Sequence, residues 1–181
     1  GRRMSNGIFI TFEGGEGAGK TTQIKRLAEY LSHQGHEVIT TREPGGTPDA
    51  EKIRDLLVQK DGGEWTYKTE TLLFFAARHT HVETRIKPAL EYGKIVICDR
   101  FTDSTRAYQA YGHGLDLDFV EDINRLTLQG FAPDITFILD IAAQEGLKRS
   151  RAHLSASTDS RESGEHKFEA LDLEFHKRLQ K

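Results

Sequence analysis

Phe12–Glu13–Gly14–Gly15–Glu16–Gly17–Ala18–Gly19–Lys20–Thr21–Thr22 is the stretch on which the reading of this chain turns. The apolar run Ile8, Phe9, Ile10 and Phe12 leads into it and predicts a β-strand. Apolar spacing at Ile24, Leu27, Ala28 and Leu31 follows it and predicts a helix that Gly35 closes. Gly14, Gly19, Lys20 and Thr21 occupy the fixed positions of the phosphate-binding pattern G-x-x-x-x-G-K-[ST], in the strand–loop–helix setting that the pattern requires. Glycines let the backbone fold into a nest whose N–H groups converge on phosphate oxygens at the positive end of a helix. Lys20 adds a charge for the β- and γ-phosphates, and the Thr21 hydroxyl suits a Mg²⁺ ligand position. A mere Gly-rich turn before a helix would leave the Lys–Thr pair at this spacing unexplained.

Outward from the loop, the chain alternates between strand and helix signals. Glu37–Thr41 reads as a second strand that ends at Arg42–Glu43–Pro44–Gly45–Gly46–Thr47. Pro-Gly-Gly must turn, so Arg42 and Glu43 are presented at a strand end, the edge where open α/β sheets bind ligands. Residues Asp49–Gln59 read as a helix with Ile53, Leu56 and Leu57 inward and Arg54 near their border, and Asp61–Gly62–Gly63 breaks it. A long helical region runs from about Tyr67 to Tyr92, with Leu72, Leu73, Ala76 and Ala77 as expected core and a bend or restart at Pro88. Ile95–Cys98 has the composition of a strand buried on both faces, ending on Asp99–Arg100. A helical segment through Tyr111, a helix over Leu117–Gln129 and a strand over Ile135–Asp140 complete the pattern. It predicts an α/β protein with a parallel sheet and right-handed crossovers. From Ala142 the character changes: Gly146–Arg151 reads as helical and basic, Leu154–Gly164 as a polar, helix-poor excursion, and Phe168, Leu171, Leu173 and Phe175 as a last helix.

Bulk properties narrow the classes. A length of 181 residues suits one domain, with Met4 read as the natural start. A net charge of −3 gives no electrostatic case for a nucleic-acid polymer or a membrane surface. Cys98 is the one cysteine, which excludes a disulfide framework and fits a reducing cytoplasm. No apolar run approaches a membrane span, and no signal peptide precedes the first strand.

Candidate chemistry gathers at the expected strand ends. Asp99 can bind Mg²⁺ directly or through water, as the acidic partner of a phosphate loop does. Arg100 offers a planar fork for a phosphate oxygen pair, though an Asp–Arg ion pair at a strand end is the plainer alternative. Lone arginines are usually solvated surface, but Arg54, Arg78 and Arg100 all fall near the same sheet edge. A second phosphorylated substrate would explain that convergence. Phe74 and Arg78 share one helical face, so an aromatic that stacks a base would sit beside an arginine that reads its edge.

Phe12–Thr22, Thr41–Thr47, Leu72–Arg78 and Asp99–Gln109 together resemble the thymidylate kinase family, and the resemblance covers most of the chain from Gly7 to about Arg151. It implies a three-layer P-loop NTPase fold, a parallel sheet flanked by helices with a mobile lid at about residues 142–167, in a single domain. It implies phosphoryl transfer from ATP to dTMP, with Mg²⁺, on the way to dTTP. Gly14, Gly15, Glu16, Gly17, Ala18, Gly19, Lys20, Thr21 and Thr22 would then form the ATP phosphate site, with Glu16 also near the acceptor's 3′-hydroxyl. Glu43 and Pro44 would line the acceptor pocket, Arg54 and Arg100 would hold the dTMP phosphate, and Phe74 and Arg78 would bind thymine. Ser104, Thr105, Tyr108 and Gln109 would complete the base and sugar pocket, with Tyr108 where a ribose 2′-hydroxyl would clash. Thr21 and Asp99 would order the metal. Family members place a transition-state arginine in the loop or in the lid, and Gly15–Glu16–Gly17–Ala18 has none. Arg149 is therefore the expected lid arginine, with Arg151 or Arg161 nearby. The resemblance also implies a homodimer, and a further strand and helix after the position of Lys181 on the adenine side. Another P-loop nucleotide or nucleoside kinase, a nucleotide-dependent switch and an inactive structural partner remain the alternatives.

Overall fold

Ile8–Gly14 (β1) and Ile95–Asp99 (β3) are the strands buried along most of their length, and they lie side by side in the middle of the sheet. The chain is described here by a computed structural model covering residues 7–15, 17–59 and 61–140, together with Glu145, Lys148, Arg149 and Ala152. Val38–Arg42 (β2) and Ile135–Leu139 (β4) flank the central pair in the order β2-β3-β1-β4, and all three pairings are parallel. Alternation sorts the central residues into two cores. Phe9, Val96 and Cys98 pack on one face with Val82, Ile86 and Leu128, while Ile10, Phe12, Ile95 and Ile97 pack on the other with Ile24. Burial of each large apolar side chain contributes about 1.5–3 kcal/mol, so the two faces together hold the sheet between helical layers. The three-layer α/β expectation is met.

Helices α1 (Lys20–His33), α2 (Pro48–Val58), α3 (Tyr67–His81), α4 (Lys87–Glu91), α5 (Thr102–Thr105) and α6 (Leu117–Leu128) follow the expected order. Thr47 caps α2 by accepting from the Ala50 N–H, with Pro48 in the first turn where its missing N–H costs nothing. The bend expected at Pro88 takes the form of a π-helical segment, Val82–Ile86, between α3 and α4. The Lys87 N–H reaches back five residues to the Val82 carbonyl, just ahead of the residue that cannot donate. A second π-helical segment, Arg106–Gly112, follows α5.

Two inward faces differ from the sequence reading. Leu56 is 40% exposed and Leu72 52%, and Ala76 is exposed as well. The buried face of α3 carries Glu70, Thr71, Phe75, Ala77, Arg78 and His81 instead. Thr71 donates to the Tyr67 carbonyl of its own helix, while Glu70, Arg78 and His81 find partners on other elements, so this face meets polar groups as well as apolar ones. Most of the expected lid, the last helix, Glu16, Arg151 and Arg161 lie outside the described residues. Among the described residues no helix is long and apolar enough to cross a membrane.

Parallel register brings the carboxyl ends of three strands together: Phe12 and Arg42 both stand opposite Asp99. The crossover from β1 runs to β2 and that from β3 runs to β4, so neighbouring strands send the chain in opposite directions. This reversal opens the crevice in which such sheets bind ligands.

Candidate active site

The loop after β1 is shaped by what surrounds it. Gly14 has φ 151°, and a Cβ there would stand 2.5 Å from the Leu139 carbonyl oxygen of β4. No side chain fits. Helix α1 starts at Lys20 without a side-chain cap, so its leading N–H groups and its dipole are available to an anion. Lys20 is 8% exposed, and its Nζ lies 3.2 Å from the Gly14 carbonyl oxygen and 3.9 Å from Asp99 Oδ1. That Asp99 oxygen is buried without a hydrogen-bond partner among the described residues.

Arg100 follows with φ 66°, a left-handed conformation that is costly for a side chain of this size. Two contacts secure the turn: the Arg100 N–H donates to the Phe12 carbonyl at 2.9 Å, and the Phe101 N–H donates to Glu13 Oε1 at 2.7 Å. The Arg100 guanidinium lies 5.5 Å over the Tyr108 ring. Glu13 also accepts from the Ser104 hydroxyl, so the carboxylate at the end of β1 ties down α5.

A second polar cluster is built by α3. Arg78 is 2% exposed; its Nε donates to Glu43 Oε1 at 2.7 Å and its Nη2 to Thr105 Oγ1 at 2.9 Å. Phe75 and Phe101 flank its guanidinium at 5.0 Å each. Its Nη1 has no hydrogen-bond partner among the described residues. Arg54 Nη1 donates to the Pro44 carbonyl at 2.8 Å. Arg106 in the π segment pairs with Glu121 of α6 and Asp103, bracing the stretch that carries Tyr108.

A cavity of about 980 Å³ joins these parts. Gly17, Ala18, Gly19, Lys20, Thr21, Glu43, Pro44, Arg54, Phe74, Arg78, Asp99, Arg100, Ser104, Thr105, Tyr108 and Arg149 all line it. Gly14, Gly15 and Thr22 stand outside the lining, and Glu16 is outside the described residues. Gln109 also stands behind the wall: it is fully buried and its Nε2 donates to Glu70 Oε1 at 2.8 Å. Arg149 is 57% exposed at its side chain and pairs with Glu145 at 3.0 Å.

Sequence reasoning passed over Glu13 and His81. Glu13 sits inside the quoted stretch as the charged residue of an otherwise apolar strand end. His81 lies three residues past Arg78 on the same helical face. Burial pushes the Glu13 carboxyl up, against hydrogen bonding from Ser104 and the nearby Arg100 charge. Burial likewise pushes the Cys98 thiol well up, with Glu43 and Asp99 adding to it, which keeps the thiol protonated and unreactive. A carboxyl that holds its proton more tightly folded than unfolded favours folding below the ordinary carboxylate range. That advantage is lost as pH rises through its folded pKa. Glu13→Gln keeps an acceptor for Phe101 and removes the buried charge. Its melting temperature, relative to the parent chain, is expected to be higher at pH 8 than at pH 5. A signed difference, variant minus parent, that stayed flat or fell from pH 5 to pH 8 would refute the assignment.

A phosphate nest, an acidic strand end beside it and an arginine-lined compartment in the same cavity define a P-loop enzyme of phosphoryl transfer. The family model for thymidylate kinase matches residues 12–181. The chain is 48% identical over 176 residues to a thymidylate kinase of Caulobacter vibrioides, covering 97% of this chain and 80% of that one. It is 46% identical to a thymidylate kinase of Clostridium novyi, covering 97% and 82%. The crystal structure of thymidylate kinase from Ehrlichia chaffeensis superposes with a TM-score of 0.70 at 46% identity, over 83% of this chain and 86% of that one. The chain belongs to the thymidylate kinase family.

Proposed function

We propose that this chain transfers the γ-phosphoryl group of ATP to the 5′-phosphate of dTMP, giving dTDP and ADP for dTTP synthesis. The observation that carries the reading is the single cavity shared by the phosphate loop, Asp99 and three arginines of a second compartment. The acceptor phosphate is already an anionic nucleophile, so no strong general base is needed, and positioning and charge stabilisation do the catalysis. Lys20 holds the transferring phosphate. Arg54 and Arg100 hold the phosphate of dTMP. Phe74 stacks on thymine and Arg78 donates to its carbonyl edge through the buried Nη1. Glu43 and Pro44 position those arginines, while Thr105 steadies Arg78 and Ser104 steadies the Arg100 turn. Tyr108 fills the space of a 2′-hydroxyl, and Gln109 supports that wall from behind. Glu16 serves the acceptor sugar, and Gly14–Thr22 cradles the ATP phosphates.

Mg²⁺ suits this donor set. A buried Asp99 oxygen without a hydrogen-bond partner among the described residues and the Thr21 hydroxyl offer two ligands, and this ion takes its remaining ligands from phosphates and water. It would neutralise charge on the β- and γ-phosphates.

We further read residues 1–181 as one domain with a lid at about 142–167, acting as a homodimer in the cytoplasm. The dimer is supported by exposed Leu72 on α3 and Leu126 on α6, on two helices that pack together. A coupled ADP-release assay with MgATP and a panel of dTMP, dUMP, dCMP and thymidine tests the activity. dTMP is expected to give the highest kcat/KM. Much faster turnover of another acceptor, or ATP hydrolysis indifferent to any acceptor, would sink the reading.

A further inference from the structure

We infer that His81, a fully buried histidine outside the cavity lining, is a positioning residue that sets how the acceptor compartment holds Arg78; this rests on the base-site reading of Arg78 above. The imidazole spans two structural elements. Its Nδ1 lies 3.1 Å from Glu43 Oε2 and its Nε2 lies 2.7 Å from Thr41 Oγ1 at the end of β2. Glu43 in turn gives its other oxygen to Arg78 Nε at 2.7 Å. A carboxylate only accepts, so Nδ1 carries the proton; in the neutral ring Nε2 then accepts from the Thr41 hydroxyl. The relay Thr41–His81–Glu43–Arg78 thus has one direction of donation at each link.

Packing fixes the ring as firmly as the hydrogen bonds do. A Cβ on Gly46 would stand 2.2 Å from His81 Nε2 and 2.7 Å from Thr41 Oγ1, so the turn after Pro44 rests its backbone against the imidazole. That turn supplies the Pro44 carbonyl that receives Arg54, and the Gly46 carbonyl that receives Arg85. With the Nδ1 donor gone, a buried carboxylate oxygen loses a partner and Glu43 is free to rotate away from Arg78. The effect falls on the acceptor and spares the donor nucleotide, whose loop lies on β1 and α1.

Two substitutions separate the ring nitrogens. His81→Gln reaches the Nε2 position and loses the Nδ1 donor; His81→Asn puts an amide N–H near Nδ1. His81→Gln is expected to raise the KM for dTMP about tenfold or more, with kcat and the KM for ATP changed less than about threefold, the scale of one lost hydrogen bond to a charged group. His81→Asn should restore the dTMP KM to within about threefold of the parent. A purely structural role would lower the melting temperature and the active fraction in both variants while leaving the dTMP KM alone, and that result overturns the inference. Arg78→Met serves as the control. An unchanged dTMP KM there removes the base-site reading and this inference with it. A raised KM there beside an unchanged one in His81→Gln removes this inference only. If His81→Gln does not fold, Thr41→Val reads the relay from its far end: a raised dTMP KM supports it and an unchanged one overturns it.

Discussion

Lys20→Met is expected to lower kcat by about 10²–10³, the loss that follows removal of one preorganised charge-stabilising donor. Methionine replaces most of the aliphatic stem, so the packing that leaves Lys20 only 8% exposed is kept. What disappears is the ammonium, held 3.2 Å from the Gly14 carbonyl at the mouth of the nest. Its charge is worth most where negative charge shifts during transfer, so the rate should fall further than ATP affinity does. The fold should tolerate the change. The cation stands 3.9 Å from Asp99, beyond hydrogen-bond distance, so its loss breaks no hydrogen bond there, and the Asp99 side chain keeps its 27% exposure to water. Lys20→Arg should fare no better, because a planar fork cannot enter a nest built around a point charge. Single-turnover transfer with saturating dTMP, beside ATP binding by calorimetry, checks both halves. A kcat within about tenfold of the parent would remove Lys20 from the catalytic centre.

The parts of this chain that could be read from sequence are those in which chemistry forces residue types into fixed positions. Gly14 must be glycine because Leu139 passes too close, and Lys20 must open α1. β3 announced itself because both its faces are buried, leaving only apolar residues before Asp99. The same logic explains the misreading of α3. An inward face is apolar only when it meets a core, and this one meets Glu43, Thr105 and Gln109, so Leu72 and Ala76 turn outward. Glu13 and His81 stayed hidden because their meaning lies in partners 88 and 38 residues away. The two π segments were equally invisible, since residues that favour an α-turn also accept the wider one.

Arg149→Ala is expected to cost about 10³ or more in kcat, the scale of a transition-state arginine. The loop interior, Gly15–Ala18, holds no arginine, and the charge on the transferring phosphoryl must be met by another cation. Arg149 lines the cavity, and its ion pair with Glu145 is between half-exposed side chains one helical turn apart. Such a surface pair is worth about 0.3–0.5 kcal/mol, so it yields readily to a stronger anion. Glu145→Ala should therefore leave kcat within about twofold. The KM values for dTMP and ATP should change little in Arg149→Ala, because an interaction made in the transition state lowers kcat and kcat/KM together. Arg149→Lys retains the charge without the two-pronged geometry and should recover only part of the rate. Alanine at Arg151 and Arg161, residues outside the described structure, completes the comparison. Wild-type turnover of Arg149→Ala, with a collapse at either of the other two, would move the catalytic duty to that arginine.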